Sequence, residues 1–117
     1  MENEALRGAP RGINSKLALH VSLADDDRFR VDPDKAATNL KKHGISFEEA
    51  TTSFFDVLSV TISDPLHSEV EKRAVLIGQS SSGRLLVTVH ADRGSRIRLI
   101  SARTATRKER KHYEKAN

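Results

Sequence analysis

Six side chains in this sequence belong to residue types that could together act on a phosphodiester. The planar guanidinium of arginine matches phosphate oxygens, and histidine titrates near pH ~6.5, so it can give or accept a proton. A carboxylate can serve as a base, and a tyrosine can exchange a proton or stack its ring on a nucleobase. The candidates for catalysis of these types are Arg73, Arg98, Arg103, His43, Glu71 and Tyr113.

Each candidate also has a purely structural interpretation. Glu71 and Arg73 stand two residues apart and could form a surface ion pair of little energetic consequence. Arg98 could cover the solvent face of a sheet, Arg103 could neutralise acids near the last helix, and Tyr113 could fill the core. For each residue taken alone, the sequence leaves both interpretations open.

The first half of the chain predicts two helices joined by a tight turn. Gly44 supplies the positive φ that commonly ends a helix, and Ser46 and Glu49 have the spacing of a capping box that opens the next one. Lys42 and His43 then have an ordinary role in the last turn of the first helix. There, cations offset the negative end of the helix macrodipole.

Apolar and polar residues alternate in the second half of the chain, which predicts strands. Short connections favour antiparallel pairing between neighbouring strands, and Thr106 and Glu109 form a second candidate capping box. The predicted order is β-α-α-β-β-β-β-α, an α+β fold with two N-terminal helices and one C-terminal helix on a four- to five-stranded antiparallel sheet. The predicted strands are a short leading strand at 28–31, then 58–63, 72–78, 85–90 and 96–102.

Length and composition narrow the class of protein. A chain of 117 residues without cysteine predicts one domain with neither a disulfide framework nor a thiolate zinc site. No apolar run approaches the length that spans a membrane, so the default expectation is a cytoplasmic protein with no membrane partner. Gly8, Pro10 and Gly12 interrupt the first residues. We therefore expect a flexible extension over residues 1–27 and a folded domain over 28–117.

Positive charge is concentrated near the C-terminus. From Arg93 to Lys115 the chain has nine Lys/Arg and two Asp/Glu, so this part carries 9 − 2 = +7, whereas the whole chain carries +4. Such asymmetry is typical of a segment that meets a polyanion or an acidic protein. Because the chain has four Phe, one Tyr and no Trp, RNA contacts would be made through phosphates more than through stacked bases.

Several segments, taken in their order and spacing, resemble the BrnT toxins of type II toxin–antitoxin systems. The resemblance covers roughly residues 28–114. It departs from the family at Val31, where a tryptophan commonly precedes the aspartate of the opening strand, and the N-terminal extension is outside the usual pattern. The matching residues are Phe29, Arg30, Asp32, Lys35, Asn39, Lys42-His43-Gly44, Ser46-Phe47-Glu48-Glu49-Ala50, Phe55-Asp56, Glu71, Arg73, Gly78, Gly83, Leu85, Arg98-Leu99-Ile100-Ser101-Ala102-Arg103, Glu109-Arg110 and Tyr113.

This resemblance implies a RelE-like fold and an endoribonuclease that inhibits translation. It also implies a cognate BrnA-like antitoxin with a ribbon-helix-helix segment, which neutralises the toxin and through which alone the complex would reach operator DNA. RNA would be cleaved by attack of the ribose 2′-OH, and we expect neither a metal nor a cofactor.

The family motifs group Arg73, Arg98 and Arg103, which are then the candidates for binding the scissile phosphate. His43, Glu71 and Tyr113 would transfer protons. Three further cations are expected to bind RNA, namely Lys42, Arg107 and Arg110.

Two other functions compete with this reading. The chain could be a catalytically weak or inactive toxin-fold module that acts in antitoxin binding and in autoregulation of its operon. It could also be a stand-alone helix–turn–helix protein that reads DNA. The second helix argues against the latter, because it carries Glu48, Glu49 and Asp56 but no Lys or Arg, the wrong charge for a major-groove reader.

Overall fold

The computed structural model describes residues 27–64 and 72–117. The predicted extension therefore lies outside the described residues except for Asp27, and its flexibility stays a prediction. The element order agrees with the predicted one, with a 3-10 turn added after the second helix. The elements are β1 (Phe29–Arg30), α1 (Pro33–His43), α2 (Phe47–Thr52), the 3-10 turn (Ser53–Phe55), β2 (Val60–Ser63), β3 (Arg73–Gln79), β4 (Leu85–Arg93), β5 (Arg96–Thr104) and α3 (Arg107–Ala116).

The five strands form one mixed sheet in the order β1-β5-β4-β3-β2. Strands β2 to β5 pair antiparallel with their neighbours in sequence, but β1 pairs parallel with β5. The α+β class and the number of strands are confirmed, whereas the prediction of a purely antiparallel sheet is wrong. Short connections reveal only the pairing of strands that they join, and the partner of β1 comes almost at the end of the chain.

Alternation along the strands gives the sheet two different faces. The α1/α2 face packs against the first two helices, and the α3 face packs against Tyr113 of the C-terminal helix around Ile77, Leu85 and Val87. The main core lies on the α1/α2 face. Its buried residues are Phe29, Ile45, Phe47, Ala50, Leu86, Leu99 and Ala102.

A β-bulge in β5 decides which residues of that strand share a face. Val89 pairs with Ser101 and His90 pairs with Leu99, so Ile100 is the extra residue. Strict alternation would place Arg98 and Arg103, five residues apart, on opposite faces. Because the bulge shifts the alternation by one residue, both lie on the α3 face.

The predicted ends of the first two helices are largely confirmed. Asp32 caps α1 by accepting the N–H of Asp34 at 2.9 Å, and Gly44 ends the helix with φ 71°. Ser46 caps α2 by accepting the N–H of Glu49 at 2.9 Å. The carboxylate of Glu49 does not complete the predicted capping box, because it is held by the turn between β3 and β4.

The Glu49 carboxylate joins α2 to that turn. It accepts hydrogen bonds from the guanidinium of Arg84 and from the hydroxyls of Ser80 and Ser82. Hydrogen bonding from Arg84, reinforced by the two serines, lowers the pKa of Glu49 to about 2 despite partial burial. The ionised carboxylate therefore fixes the helical hairpin against the sheet.

Gly78 allows the 3-10 turn to approach β3 closely. A Cβ at this position would lie 2.6 Å from the carbonyl oxygen of Ser53, which is closer than side-chain carbons approach an oxygen. The backbone of β3 can therefore meet the 3-10 turn only if this residue is glycine.

The buried amide of Asn39 fastens α1 to β5. Its Nδ2 donates to the carbonyl oxygens of Ile45 and Ala102 at 2.9 and 2.8 Å, and its Oδ1 accepts the N–H of Ala102 at 3.0 Å. Strand β1 pairs with β5 only at Ile97 and Arg98. Beyond that point, the side chain of Asn39 supplies the hydrogen bonds that a neighbouring strand would otherwise make.

Replacement of Asn39 by leucine should destabilise the protein by about 3 kcal/mol or more, since three buried backbone groups would lose their partners. The midpoint of urea unfolding, followed by circular dichroism, measures this loss. Thr38→Ala, on the exposed side of the same helix, is the control and should shift the midpoint little. An Asn39→Leu protein as stable as the control would contradict the role assigned to the amide.

Stability should also fall in acid as Glu49 is protonated. The pKa of Glu49 is about 2 in the folded protein and 4.5 without its partners, so its contribution is fully present above pH ~4.5 and is lost as the pH falls towards ~2. Unfolding free energies measured across this interval should decline less steeply in Glu49→Gln. Glu114→Gln, on the exposed part of α3, should keep the wild-type slope, and an unchanged slope in Glu49→Gln would refute the argument.

Candidate functional site

Three arginines and one alanine form a row across the sheet on its α3 face. Arg30 of β1 is the register partner of Arg98 of β5, which pairs with Ala91 of β4, and Ala91 pairs with Arg73 of β3. Register partners project from the same face, with neighbouring Cβ atoms roughly 5 Å apart. We call Arg30, Arg98, Ala91 and Arg73 the arginine row.

The centre of the arginine row contains a small side chain and is partly shielded from water. Ala91 is fully buried, and Arg73 and Arg98 on either side of it are half-buried, with each Nε atom shielded from water. Partial removal of a guanidinium from water strengthens its attraction to an anion. Planar guanidinium groups around a small residue are suited to holding the oxygens of a phosphate.

More positive charge continues from the arginine row towards the turn between β4 and β5. Arg93 pairs with Arg96 two register positions beyond Ala91 and Arg98, so both project from the same face. Neither these two residues nor Arg30 belongs to the predicted site. The signal that could have found them is alternation, because Arg96 and Arg98 are two residues apart on one strand.

Arg103 lies on the same face but is bound to the C-terminal helix. Its two terminal nitrogens donate to the two oxygens of Glu109 at 2.8 and 2.7 Å. Hydrogen bonding from Arg103, with help from Thr106, lowers the pKa of Glu109 to about 2. Glu109 also completes the predicted capping box with Thr106, so this ion pair fixes the start of α3.

Tyr113 also serves to hold α3. Its hydroxyl donates to Asp56 at 2.6 Å, and this hydrogen bond raises the pKa of Tyr113 to about 12. Asp56 also accepts the backbone N–H groups of Gln79 and Leu58. Although burial opposes ionisation of Asp56, these hydrogen bonds outweigh it and lower the pKa of the carboxyl.

The position of Tyr113 separates it from the arginine row. Its ring packs against the cluster of Ile77, Leu85 and Val87, and Ile77 is four residues from Arg73 along β3. Four residues of a strand span roughly 13 Å. The structure therefore brings Tyr113 to the covered end of the α3 face, and Arg73 to the other end.

His43 and Lys42 lie away from the arginine row. They are in the last turn of α1, on the opposite side of the sheet. The carbonyl oxygen of the next residue, Gly44, is 3.5 Å from a terminal nitrogen of Arg84, in the turn between β3 and β4. This turn is at the far end of β4 from Ala91, so the fold separates the helical hairpin from the arginines.

The remaining predicted site residues lie on α3 or outside the residues that the structure describes. Arg107 and Arg110 are exposed on the first turns of α3, where they add positive charge to the surface. Glu71 lies outside the described residues, so nothing tests its predicted role as a base.

His90 is a buried histidine of the α1/α2 face rather than a member of this cluster. Its ring packs edge-on against Phe54 with centroids 5.0 Å apart, and its Nδ1 is 3.2 Å from a carboxylate oxygen of Asp92. Burial lowers the pKa of His90, although Asp92 acts in the other direction. His90 is therefore a core residue of β4, on the opposite face of the sheet from the arginine row.

The described part of the chain contains neither a cluster of metal ligands nor a membrane-spanning helix. Across residues 27–64 and 72–117, no group of three or more His, Asp or Glu is arranged to hold a metal ion. Over the same residues, no helix combines the length and apolarity needed to cross a membrane.

Comparison with known proteins adds the family. The family model of the ribonuclease toxin BrnT of type II toxin–antitoxin systems matches residues 32–109. The crystal structure of the Brucella abortus ribonuclease toxin BrnT is similar, with a TM-score of 0.52 and 25% identity over 68% of this chain and 96% of that one. No curated protein sequence matches significantly. Since the family match spans most of the chain and agrees with the resemblance in its motifs, this chain belongs to the BrnT family of type II toxins.

Proposed function

We propose that this chain is an endoribonuclease toxin that binds the scissile phosphate of RNA over the arginine row. The observation that carries the proposal is the register of Arg73, Ala91 and Arg98, which puts two arginines on one face around a fully buried methyl group. In this arrangement two planar guanidinium groups could donate to a phosphate that lies over a small methyl group. Because the charge on a phosphodiester grows during cleavage, such donors stabilise the transition state more than the substrate.

The proposed reaction needs no metal. A base removes the proton of the ribose 2′-OH, the 2′-oxygen bonds to phosphorus, and the bond from phosphorus to the 5′-oxygen breaks. The 5′-oxygen takes up a proton, which leaves a 2′,3′-cyclic phosphate and a 5′-hydroxyl. Arg73 and Arg98 would stabilise the phosphorane, and Glu71, two residues before Arg73 in the chain, is our candidate for the base.

Other cations would hold the rest of the RNA. Arg93 and Arg96 extend the positive surface from one end of the arginine row, and Arg107 and Arg110 are exposed on α3. Contacts of this kind neutralise backbone phosphates without reading sequence, so their contribution should weaken as salt concentration rises.

Three predicted catalytic residues have positions that favour other roles. Arg103 and Tyr113 are bound to Glu109 and Asp56, and we propose that they position α3 beside the arginine row. His43, with Lys42, lies at the end of α1, where a positive charge favours the helix end.

The cellular setting follows from family membership and is part of the proposal. A type II system implies an antitoxin partner; we propose that it is BrnA-like, with a ribbon-helix-helix segment that alone contacts operator DNA. We further propose a RelE-like relationship of the fold, a cytoplasmic location and inhibition of translation through RNA cleavage.

A second candidate function is a weak or inactive toxin that serves in antitoxin binding and operon autoregulation. The observation in its favour is that His43, Arg103 and Tyr113 lie apart from the arginine row or are bound by structural partners. The first function is preferred because the register brings Arg73 and Arg98 to one face of the sheet on either side of a fully buried alanine.

Arg73→Ala and Arg98→Ala should each reduce RNA cleavage by at least about 100-fold, since each removes a donor aimed at developing charge. Cleavage of a defined RNA by the purified proteins measures the rate, and growth arrest on expression gives a second readout. Lys41→Ala, an exposed cation on α1, is the matched control. Wild-type cleavage by correctly folded Arg73→Ala and Arg98→Ala proteins would remove the site assignment, and no cleavage by the wild-type protein would favour the second function.

Tyr113→Phe should lower the unfolding free energy by about 1–2 kcal/mol, because Asp56 loses a hydrogen bond. Cleavage by the folded fraction should stay within about tenfold of wild type, well above that of the arginine variants. His43→Ala should likewise retain cleavage. A loss as large as that of Arg98→Ala, with stability unchanged, would instead restore the tyrosine or the histidine to the catalytic set.

A further inference from the structure

Strand β2 leaves one line of backbone groups facing away from the sheet. The N–H of Asp64 donates to the carbonyl oxygen of Arg73 at 3.0 Å, which fixes the hydrogen-bonded positions of the antiparallel β2–β3 pair. Because these positions alternate, Val60 and Ile62 bond to β3, whereas the N–H and C=O groups of Thr61 and Ser63 point outwards. Both residues are exposed.

The same segment is apolar, uncharged and exposed. Residues 57–63, which we call the β2 edge, read Val-Leu-Ser-Val-Thr-Ile-Ser and contain no charged residue. Val57 is 95% exposed, Leu58 50% and Ile62 41%. Proteins usually protect an edge strand from further pairing with lysine, proline, a bulge or a covering element. Residues 57–63 contain no lysine and no proline, and the pairing of β2 with β3 has no bulge.

The opposite edge of the sheet is shorter than the β2 edge and carries charge. Strand β1 contains two residues, of which Arg30 is one, and it follows Arg28. Beyond β1, the edge of β5 is bound by the amide of Asn39. Within residues 27–64 and 72–117, the β2 edge is therefore the edge that is available for strand addition.

We infer that the β2 edge is the docking site for an extended segment of the antitoxin, which adds a sixth strand to the sheet. This inference rests on the proposed toxin–antitoxin function, because that function supplies a protein partner. The added strand should carry apolar residues at alternating positions, so that they pack beside Val60 and Ile62 on the α3 face.

The charge of the surface beside the β2 edge predicts which residues should flank the added strand. Ser63 is opposite Ala74, the neighbour of Arg73, so a chain leaving the β2 edge at this end passes beside the arginine row. The C-terminal part from Arg93 to Lys115, which includes Arg98 of the row and the neighbouring Arg93 and Arg96, carries 9 − 2 = +7. An acidic stretch next to the added strand would be attracted to these arginines and would exclude RNA from them.

Charge also argues against a second copy of this chain as the occupant. Antiparallel pairing of two β2 edges around a two-fold axis would place both α3 faces on the same side of one continuous sheet. The two arginine rows would then face solvent together, and their like charges would oppose the pairing.

The first test is hydrogen exchange on the full chain, alone and in complex with the full-length product of the adjacent gene. Formation of the complex should slow exchange of the Thr61 and Ser63 amides by at least about tenfold, because both become hydrogen-bonded to the added strand. The amides of Val60 and Ile62 already bond to β3 and should change less. Protection that appears with rising concentration of this chain alone would indicate a second copy and overturn the inference.

The second test compares two substitutions at one residue. Thr61→Pro removes the outward N–H and Thr61→Ala keeps it, while both lose the threonine side chain. Because Thr61 makes no N–H bond to β3, proline is tolerated there as on other strand edges. Thr61→Pro should weaken antitoxin binding at least about tenfold, and Thr61→Ala should stay within about threefold of wild type.

A third pair tests the apolar surface without touching the backbone. Ile62→Lys should weaken antitoxin binding, whereas Leu40→Lys, at a leucine of α1 that is 52% exposed, should not. Equal antitoxin affinity of Thr61→Pro, Ile62→Lys and wild type would overturn the inference, as would failure of the adjacent gene product to bind. RNA cleavage by these variants should be unchanged, so a failure of the proposed catalytic function would be seen separately, in the wild-type protein.

Discussion

The hydrogen bonds between Asn39 and Ala102 hold together the two halves of this fold. Their donors and acceptors are buried, and they connect α1 to β5 across 63 positions of the sequence. Strand β5 in turn pairs with both β1 and β4. One amide side chain therefore fixes the helical hairpin against a strand that has a partner on each side. Because an unpaired buried peptide group is costly, the hydrogen bonds that Asn39 makes to the edge of β5 favour this position of α1.

The bulge at Ile100 then determines what β5 presents on each face. On one face it allows Leu99 and Ala102 to enter the same core, although they are three residues apart. On the other it places both Arg98 and Arg103, whose partners Ala91 and Val87 are four residues apart on β4. The same irregularity thus completes the core and sets which arginines of β5 project from the opposite surface. Hydrophobic burial on the α1/α2 face consequently dictates the placement of the charged residues on the α3 face.

The elements could be predicted from the sequence because their determinants are local. Asp32, Gly44 and Thr106 act within a few residues of themselves, and the structure has each cap where its residue type places it. The parallel pairing of β1 and the partner of Glu49 depend on residues far along the chain, so local patterns contain no information about them. Alternation along β5 relates Arg96 to Arg98, but the positions of Arg30 and Arg93 beside them follow only from the strand register.

The arginines of this protein differ in the side chains that surround them. Arg84 and Arg103 each meet a glutamate whose pKa is held near 2, and these pairs join helices to the sheet. A carboxylate so strongly bound competes with any phosphate for the same guanidinium. In the arginine row, the register partner between Arg73 and Arg98 is a small, uncharged alanine. Because neighbouring register partners have Cβ atoms only roughly 5 Å apart, a small residue at position 91 leaves space for a guanidinium from each neighbouring strand on the α3 face.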